Sequence, residues 1–298
     1  MILVILLYVG FSLSFVLMKA SLFYGQPFFL VAIRMLFAAL ILFSWLLIKN
    51  EWKPIRRADL FLLSGAALFN IYITNTFELV GLEHMSAIKA SLIFCLSPFL
   101  GAILAYFIWH ERLTRYKWFG LILGLLGMML LFYQQGDGNS LLFAKSDVWL
   151  LGAMVATTIG WTFVKRLVFN RHYTSIQVNG ITMLLGGIGS LVTSFFVESW
   201  NPIPVANVPK FLVLVIATSL LSCVICYNLY AWLLRSYSVV FMTFAGFLSP
   251  FFTAFFGYLF LQEQITVTFV LAFFLLMGGL LVFYKEELLK RGTKVFFL

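Results

Sequence analysis

Leu96-Ser97-Pro98-Phe99 returns later in the chain as Leu248-Ser249-Pro250-Phe251. A glutamate stands thirteen residues past each proline, Glu111 after Pro98 and Glu263 after Pro250, so motif and spacing recur together at an offset of 152. At that offset Ser86 matches Ser238, Ala102 matches Ala254, Tyr106 matches Tyr258, Thr114 matches Thr266 and Gly127 matches Gly279. Leu and Phe matches weigh little in a chain rich in both; the proline, tyrosine, glutamate and glycine matches weigh more. The offset is close to half of the 298 residues. The repeat lies inside apolar stretches, which is the pattern of a membrane carrier built from two halves.

Composition fixes the solvent. Hydrophobic residues make up 63% of the chain and charged residues 10%. A soluble domain of this size could not cover such a core, so an integral membrane protein with the lipid bilayer as partner is expected. The net charge of +9 would suggest nucleic acid in a soluble chain. Here the basic residues fall in short loops, where topology accounts for them, and no nucleic-acid partner is expected. Cys223 and Cys226 have C-x-x-C spacing but no strand–helix context, so they read as two buried thiols, like Cys95. The N-terminus enters an apolar stretch without a basic leader and reads as an uncleaved first span.

Apolar stretches of about 20 residues predict ten spanning helices, at 2–23, 28–48, 59–80, 85–109, 114–133, 147–167, 174–197, 210–234, 238–261 and 265–284. With the N-terminus cytoplasmic, fifteen of the 20 Lys and Arg residues fall in inside segments and only Lys145 and Lys210 outside. Lys19, Arg34 and Lys89 lie within spans. Basic loops resist translocation, so both termini are expected in the cytoplasm. Five spans per half is an odd number, and the second half then enters the membrane inverted. The predicted fold is all-α: ten transmembrane helices as two inverted five-helix repeats. The repeats occupy 1–133 and 147–284, with an outside linker at 134–146 and a basic tail at 285–298.

These features resemble one known family. Ser86-Ala87, Leu96-Ser97-Pro98-Phe99, Glu111 and the glycines Gly120, Gly124 and Gly127 look like one EamA repeat. Ser238, Ser249-Pro250, Glu263 and Gly278-Gly279 look like a second. Phe15 to Lys19 and Pro27 to Arg34 are similar to the family's first two helices. The resemblance covers nearly the whole chain and is to a ten-helix EamA member of the drug/metabolite transporter superfamily. It implies transport, often export, of a small metabolite across a bacterial inner membrane through a central cavity. The second half departs from symmetry by placing Phe241 where the first has Lys89.

Within this frame Pro98 and Pro250 read as mid-span positions that free the carbonyls of Phe94 and Gly246. Each is either a static kink or a cavity-lining gating hinge, and repetition favours the hinge. Lys19, Arg34, Glu78 and Lys89 gather in the outer third of the first repeat. An ion at that depth must be paired, wet or able to snorkel. Arg34 is too deep to snorkel easily and is expected to pair with Glu78 or face the cavity. Three cations against one anion predict a positive outer vestibule suited to an amino acid or other carboxylate-bearing substrate. Asn70, Thr74 and Glu78 share one helical face, with Asn75 beside it, and Thr157, Trp161 and Lys165 share another. Tyr227, Asn228 and Tyr230 cluster on span eight, and Tyr8, Ser12 and Lys19 lie close to one face of span one. Such stripes serve either as interhelical glue or as cavity lining. The expected substrate-binding set is Lys19, Arg34, Asn75, Glu78, Lys89, Trp161, Tyr227 and Asn228. No catalytic residue, metal or cofactor is expected. A coupling ion or proton is an open partner, and the protein is a monomer or homodimer. A receptor or assembly subunit is the alternative, with an intramembrane enzyme behind it: neither H-E-x-x-H nor G-x-S-x-G occurs.

Overall fold

The computed structural model describes residues 2–97, 99–100, 114–133, 144–237, 242 and 245–291. The expectations for Pro98, Glu111, Ser238 and Phe241 lie outside these described residues. Helices dominate, and among the described residues the β-structure is one isolated bridge between Gly25 and Val205. In chain order the helices are α1 (Ile2–Leu22), α2 (Pro27–Lys49), α3 (Arg57–Glu83), α4 (Ala87–Phe94), α5 (Arg115–Tyr133), α6 (Lys145–Asn170), α7 (Ser175–Val197), α8 (Val208–Leu233), α9 (Leu248–Leu261) and α10 (Val267–Arg291). Six of them, α1, α2, α3, α6, α7 and α8, are long and apolar enough to cross a membrane. Residues 248–261 and 267–283 form shorter apolar helices.

Local sequence explains the helix ends. Pro27 opens α2, where a missing N–H costs nothing, and Asn50 closes it in the left-handed region at φ 52°. Ser86, Thr174 and Asn207 each accept the backbone N–H three residues on, at the starts of α4, α7 and α8. Asp147 accepts the Ala144 N–H at 3.1 Å, so α6 begins at Lys145, two residues before the predicted span.

Pro250 corrects the mid-span expectation. Helical structure at Ala245 gives way to a turn at Gly246 and Phe247, and α9 begins at Leu248. Pro250 therefore sits in a first helical turn, where its backbone nitrogen has no helical acceptor to lose. The Gly246 carbonyl accepts instead from the Ser249 N–H at 2.9 Å. The first half breaks at the matching place: α4 ends at Phe94, Cys95 and Leu96 form a turn, and helix resumes at Ser97.

Two further breaks carry no sequence signature. α3 opens into a π-helical run at Ala67–Ile73, and α8 does so at Ser219–Cys226. The two runs start 152 residues apart, as the repeat does. Wider turns free carbonyls, and asparagine amides return to them: Asn75 to Ile71 O at 2.9 Å and Asn228 to Val224 O at 2.8 Å.

Packing follows the same logic. α2 pairs with α7 and α5 with α10, each helix against its repeat equivalent. The contacts α3–α6 and α1–α8 exchange when every helix is replaced by the one five places along, and so do α1–α9 and α4–α6.

Candidate functional site

A cavity of about 130 Å³ opens between the halves, far above the ~10–15 Å³ that one water needs. α1 contributes Tyr8, Phe11, Phe15 and Met18, and α3 contributes Thr74, Asn75 and Glu78. Ser91, Phe94 and Ser97 complete the first half's wall. From the second half come Thr157 and Trp161 of α6, Ser222, Tyr227 and Tyr230 of α8, and Gly246 and Ser249 at the Ser-Pro break. Among the described lining residues Glu78 is the only one from the Asp, Glu, Lys, Arg and His set.

Part of the lining is an aromatic cluster. Trp161 stacks on Tyr230 with ring centroids 4.0 Å apart and tilts against Tyr227 at 5.4 Å. Phe11 meets both tyrosines edge-on, at 6.0 and 6.3 Å. Polar ties fix the frame. The Tyr227 hydroxyl accepts from the Asn75 amide at 3.2 Å, joining the two residues that follow the π runs of the two halves. The Tyr8 hydroxyl donates to the Met242 carbonyl. Ser12 donates to the Ser249 carbonyl at 3.0 Å, linking α1 to the start of α9.

One end of the bundle is bound by charge. The Lys89 ammonium lies 2.6 Å from the Asp147 carboxylate, both side chains nearly sealed from solvent. The Glu263 carboxylate accepts the Ala87 and Ile88 N–H groups at 2.8 and 3.1 Å, seating an anion on the positive end of α4. Nearby, Glu198 accepts the Phe28 and Phe29 N–H groups at 2.7 and 2.9 Å. Burial outweighs those donors and raises the Glu198 carboxyl above its ordinary value. At the other end Tyr173 donates to Asp59 at 2.9 Å, Arg171 pairs with Asp59 at 3.0 Å, and Lys53 donates to the His172 carbonyl at 2.6 Å.

The predicted binding residues therefore separate. Asn75, Glu78, Trp161 and Tyr227 line the cavity. Lys19 instead donates to the Leu82 and Glu83 carbonyls at 2.7 and 3.0 Å, closing the C-terminus of α3. Lys89 is held by Asp147, and Asn228 accepts from Asn179 at 3.0 Å as a tie between α7 and α8. Arg34 is fully buried outside the described lining, with one Nη 3.9 Å from Cys223 Sγ and no ion pair to Glu78 within 4 Å. The positive vestibule is thus corrected: two cations are engaged elsewhere, and the charge facing the cavity is a carboxylate. Asn70 lies buried outside the described lining and packs on α6 at Gly160, while Thr74, Asn75 and Glu78 line the cavity. Sequence reasoning did not name Tyr8, Phe11, Phe15 or Tyr230 as binding residues. Tyr8, Phe11 and Phe15 recur at three- and four-residue spacing, a signal available in the sequence but shared with any packed helix.

The sequence pattern of the EamA-like transporter family matches residues 1–133 and 144–285. The chain belongs to that family. Curated relatives of this EamA-like transporter include an S-adenosylmethionine/S-adenosylhomocysteine transporter of Chlamydia muridarum, 34% identical over 92% of this chain and 88% of its own length. A protein of the same name from Chlamydia trachomatis is 32% identical over 92% of this chain and 86% of its own. A solved crystal structure aligns with TM-score 0.64 over 95% of each chain at 17% identity, a likeness of fold alone. As an EamA-like transporter the protein is a multi-pass membrane protein that acts on a small molecule. Among the described lining residues its cavity combines one carboxylate with several aromatic faces. That chemistry suits a flat ring that can stack and a cation that gains from both the carboxylate and the π clouds.

Proposed function

We propose that this protein carries an adenosyl-sulfur compound, S-adenosylmethionine or S-adenosylhomocysteine, across a bacterial inner (plasma) membrane. It does so as a secondary transporter of ten spans in two inverted five-helix repeats, with both termini cytoplasmic. The observation that carries this reading is a cavity shared by both halves whose described lining includes Glu78 together with the ring cluster of Trp161, Tyr227 and Tyr230. The aromatic wall offers adenine a stacking surface, and Glu78 offers a counter-charge. The named activity of the two chlamydial relatives supports the same class.

Support for the sidedness comes from loop contacts. Segments that charge counting assigns to the cytoplasm meet one another through Lys53–His172, Asp59–Arg171 and Arg235–Tyr173. Those assigned outside meet through Lys89–Asp147, Glu263–Ala87 and the Gly25–Val205 bridge. The exchange symmetry of the helix pairings and the matched breaks at Gly246 and Cys95 support two equivalent gates and alternating access. Gradients across the membrane set the direction of net transport. The carboxylate-seeking reading drawn from Lys19, Arg34 and Lys89 gives way, because Glu78 is the charged group on the cavity wall.

Purified protein in proteoliposomes should take up labelled S-adenosylmethionine saturably, and excess S-adenosylhomocysteine should compete. Folded protein that transports neither compound, in either loading direction, would sink this reading.

A further inference from the structure

Resting on that reading, we infer that Glu78 is the group that tells a sulfonium from a thioether, so that the cavity senses whether the substrate's sulfur carries a third substituent. The two compounds differ by one methyl and one positive charge at sulfur. Everything else the site could hold, the adenine, the ribose and the amino acid end, is common to both. Selection by charge at the sulfur needs an acidic or basic group at the cavity. Among the described lining residues only Glu78 belongs to the Asp, Glu, Lys, Arg and His set.

The surroundings suit that task. Glu78 is buried, 6% exposed, and no basic side chain lies within ion-pair distance of it among the described residues. Two candidate competitors are directed elsewhere, and the third, Arg34, stays beyond ion-pair distance although its charge reaches Glu78. Lys89 is on Asp147, Lys19 is on the α3 carbonyls, and Arg34 points its one polar contact at Cys223. A carboxylate held without an ion-pair partner beside open space is set to take a cation from the ligand. The rings of Trp161, Tyr227 and Tyr230 reinforce the preference, because aromatic faces attract a sulfonium and are indifferent to a neutral sulfur. The Asn75–Tyr227 bond holds the Glu78-bearing face of α3 against these rings.

The test is binding of both compounds to the purified full-length protein and to Glu78→Gln and Glu78→Asp. Glu78→Gln should weaken S-adenosylmethionine by about tenfold or more, the loss of one charge contact, and S-adenosylhomocysteine by about twofold at most. Glu78→Asp should keep most of the difference. Equal loss for both compounds would overturn the inference, because Glu78 would then hold the shared ammonium; no loss for either would overturn it too. Should Glu78→Gln not fold, competition in the unaltered protein decides. S-methylmethionine, a sulfonium, should displace bound S-adenosylmethionine at least about tenfold more strongly than methionine, its thioether counterpart. Equal displacement by the two would refute the inference while leaving the transport reading intact. Failure of the unaltered protein to bind either adenosyl compound would defeat both.

Discussion

At the repeat offset, Asn75 and Glu78 of α3 correspond to Tyr227 and Tyr230 of α8, and each pair follows a π-helical run at the same place in its half. The backbone irregularity is therefore shared while the side chains it presents are not. The first half brings an amide and a carboxylate to the cavity; the second brings two phenols backed by Trp161. The same contrast recurs elsewhere. Tyr8, a cavity residue on α1, corresponds to Gly160 on α6, where α3 packs against the backbone, and buried Arg34 corresponds to Gly186. A repeat can thus supply two matched scaffolds, and divergence at matched positions turns them into one asymmetric site. Two equal halves would present the same groups twice; unequal halves bring a carboxylate from one and two phenols from the other to a single cavity.

The largest expected effect lies in the pair that has no repeat counterpart, since Phe241 stands where a second Lys89 would be. Removing one member of a buried ion pair strands the other, at a cost of about 3–5 kcal/mol. Lys89→Met and Asp147→Leu should each lower the thermal unfolding temperature in detergent strongly. The double variant should recover most of the loss, because two apolar side chains replace two neutralised charges. A double variant as unstable as the sum of the singles would show that the two residues act independently. It would also return Lys89 to the list of candidate substrate ligands.

A smaller effect is expected where a glycine in one half faces what a tyrosine does in the other. A Cβ on Gly160 would lie 2.5 Å from the backbone N and Cα of Asn70, inside the π run of α3. The two helices must separate, and Gly160→Ala should cost about 1–3 kcal/mol. Gly278 is the control: a Cβ there meets nothing within 4 Å, and Gly278→Ala should be neutral or slightly stabilising through helix propensity. Its neighbour Gly279 would meet the Gly120 carbonyl at 2.8 Å and should behave like Gly160. Thermal unfolding of the three variants separates close packing from general helix effects. A tolerant Gly160→Ala would mean that the α3–α6 contact is soft.

These cases show what was readable in advance. Duplication and the helical faces that carry Asn75, Glu78, Trp161 and Tyr227 to the cavity lining depend on local spacing, and spacing is visible in sequence, whereas the turn ahead of Pro250 is not. The partners of Lys89 and Lys19 were not readable, because Asp147 and the end of α3 come close only when distant helices pack. The π runs escaped for a different reason. A wide turn imposes no residue type, so nothing in the sequence marks Ala67–Ile73 or Ser219–Cys226 as π-helical. The Thr74 hydroxyl, which donates to the Phe69 carbonyl five residues back at 2.6 Å, marks the wide turn in the folded chain. Confusing the sign of the site followed from the same limit: charges were counted by depth, whereas their neighbours decide which of them faces the cavity.

The smallest expected effect is on the bond between the two halves' matched positions, Asn75 and Tyr227. Hydrogen bonds between membrane helices average about 0.6 kcal/mol. Tyr227→Phe removes the hydroxyl and keeps the ring, so the aromatic wall stays and overall stability should change by no more than that. The bond spans α3 and α8, both interrupted by π runs at the residues just before it. It favours the arrangement in which the two helices meet over one in which they part. Losing about 0.6 kcal/mol of that preference should raise the minor arrangement about threefold. Spin labels at His84, just past the end of α3, and at Val208, the first residue of α8, would report it as a growing second distance population. An unchanged distribution would make the tie static glue and would leave the matched π runs as features of packing. A threefold shift without a change in unfolding temperature would locate the two halves' relative motion at Asn75 and Tyr227, the one pair of equivalent residues that touch through polar atoms among the described residues.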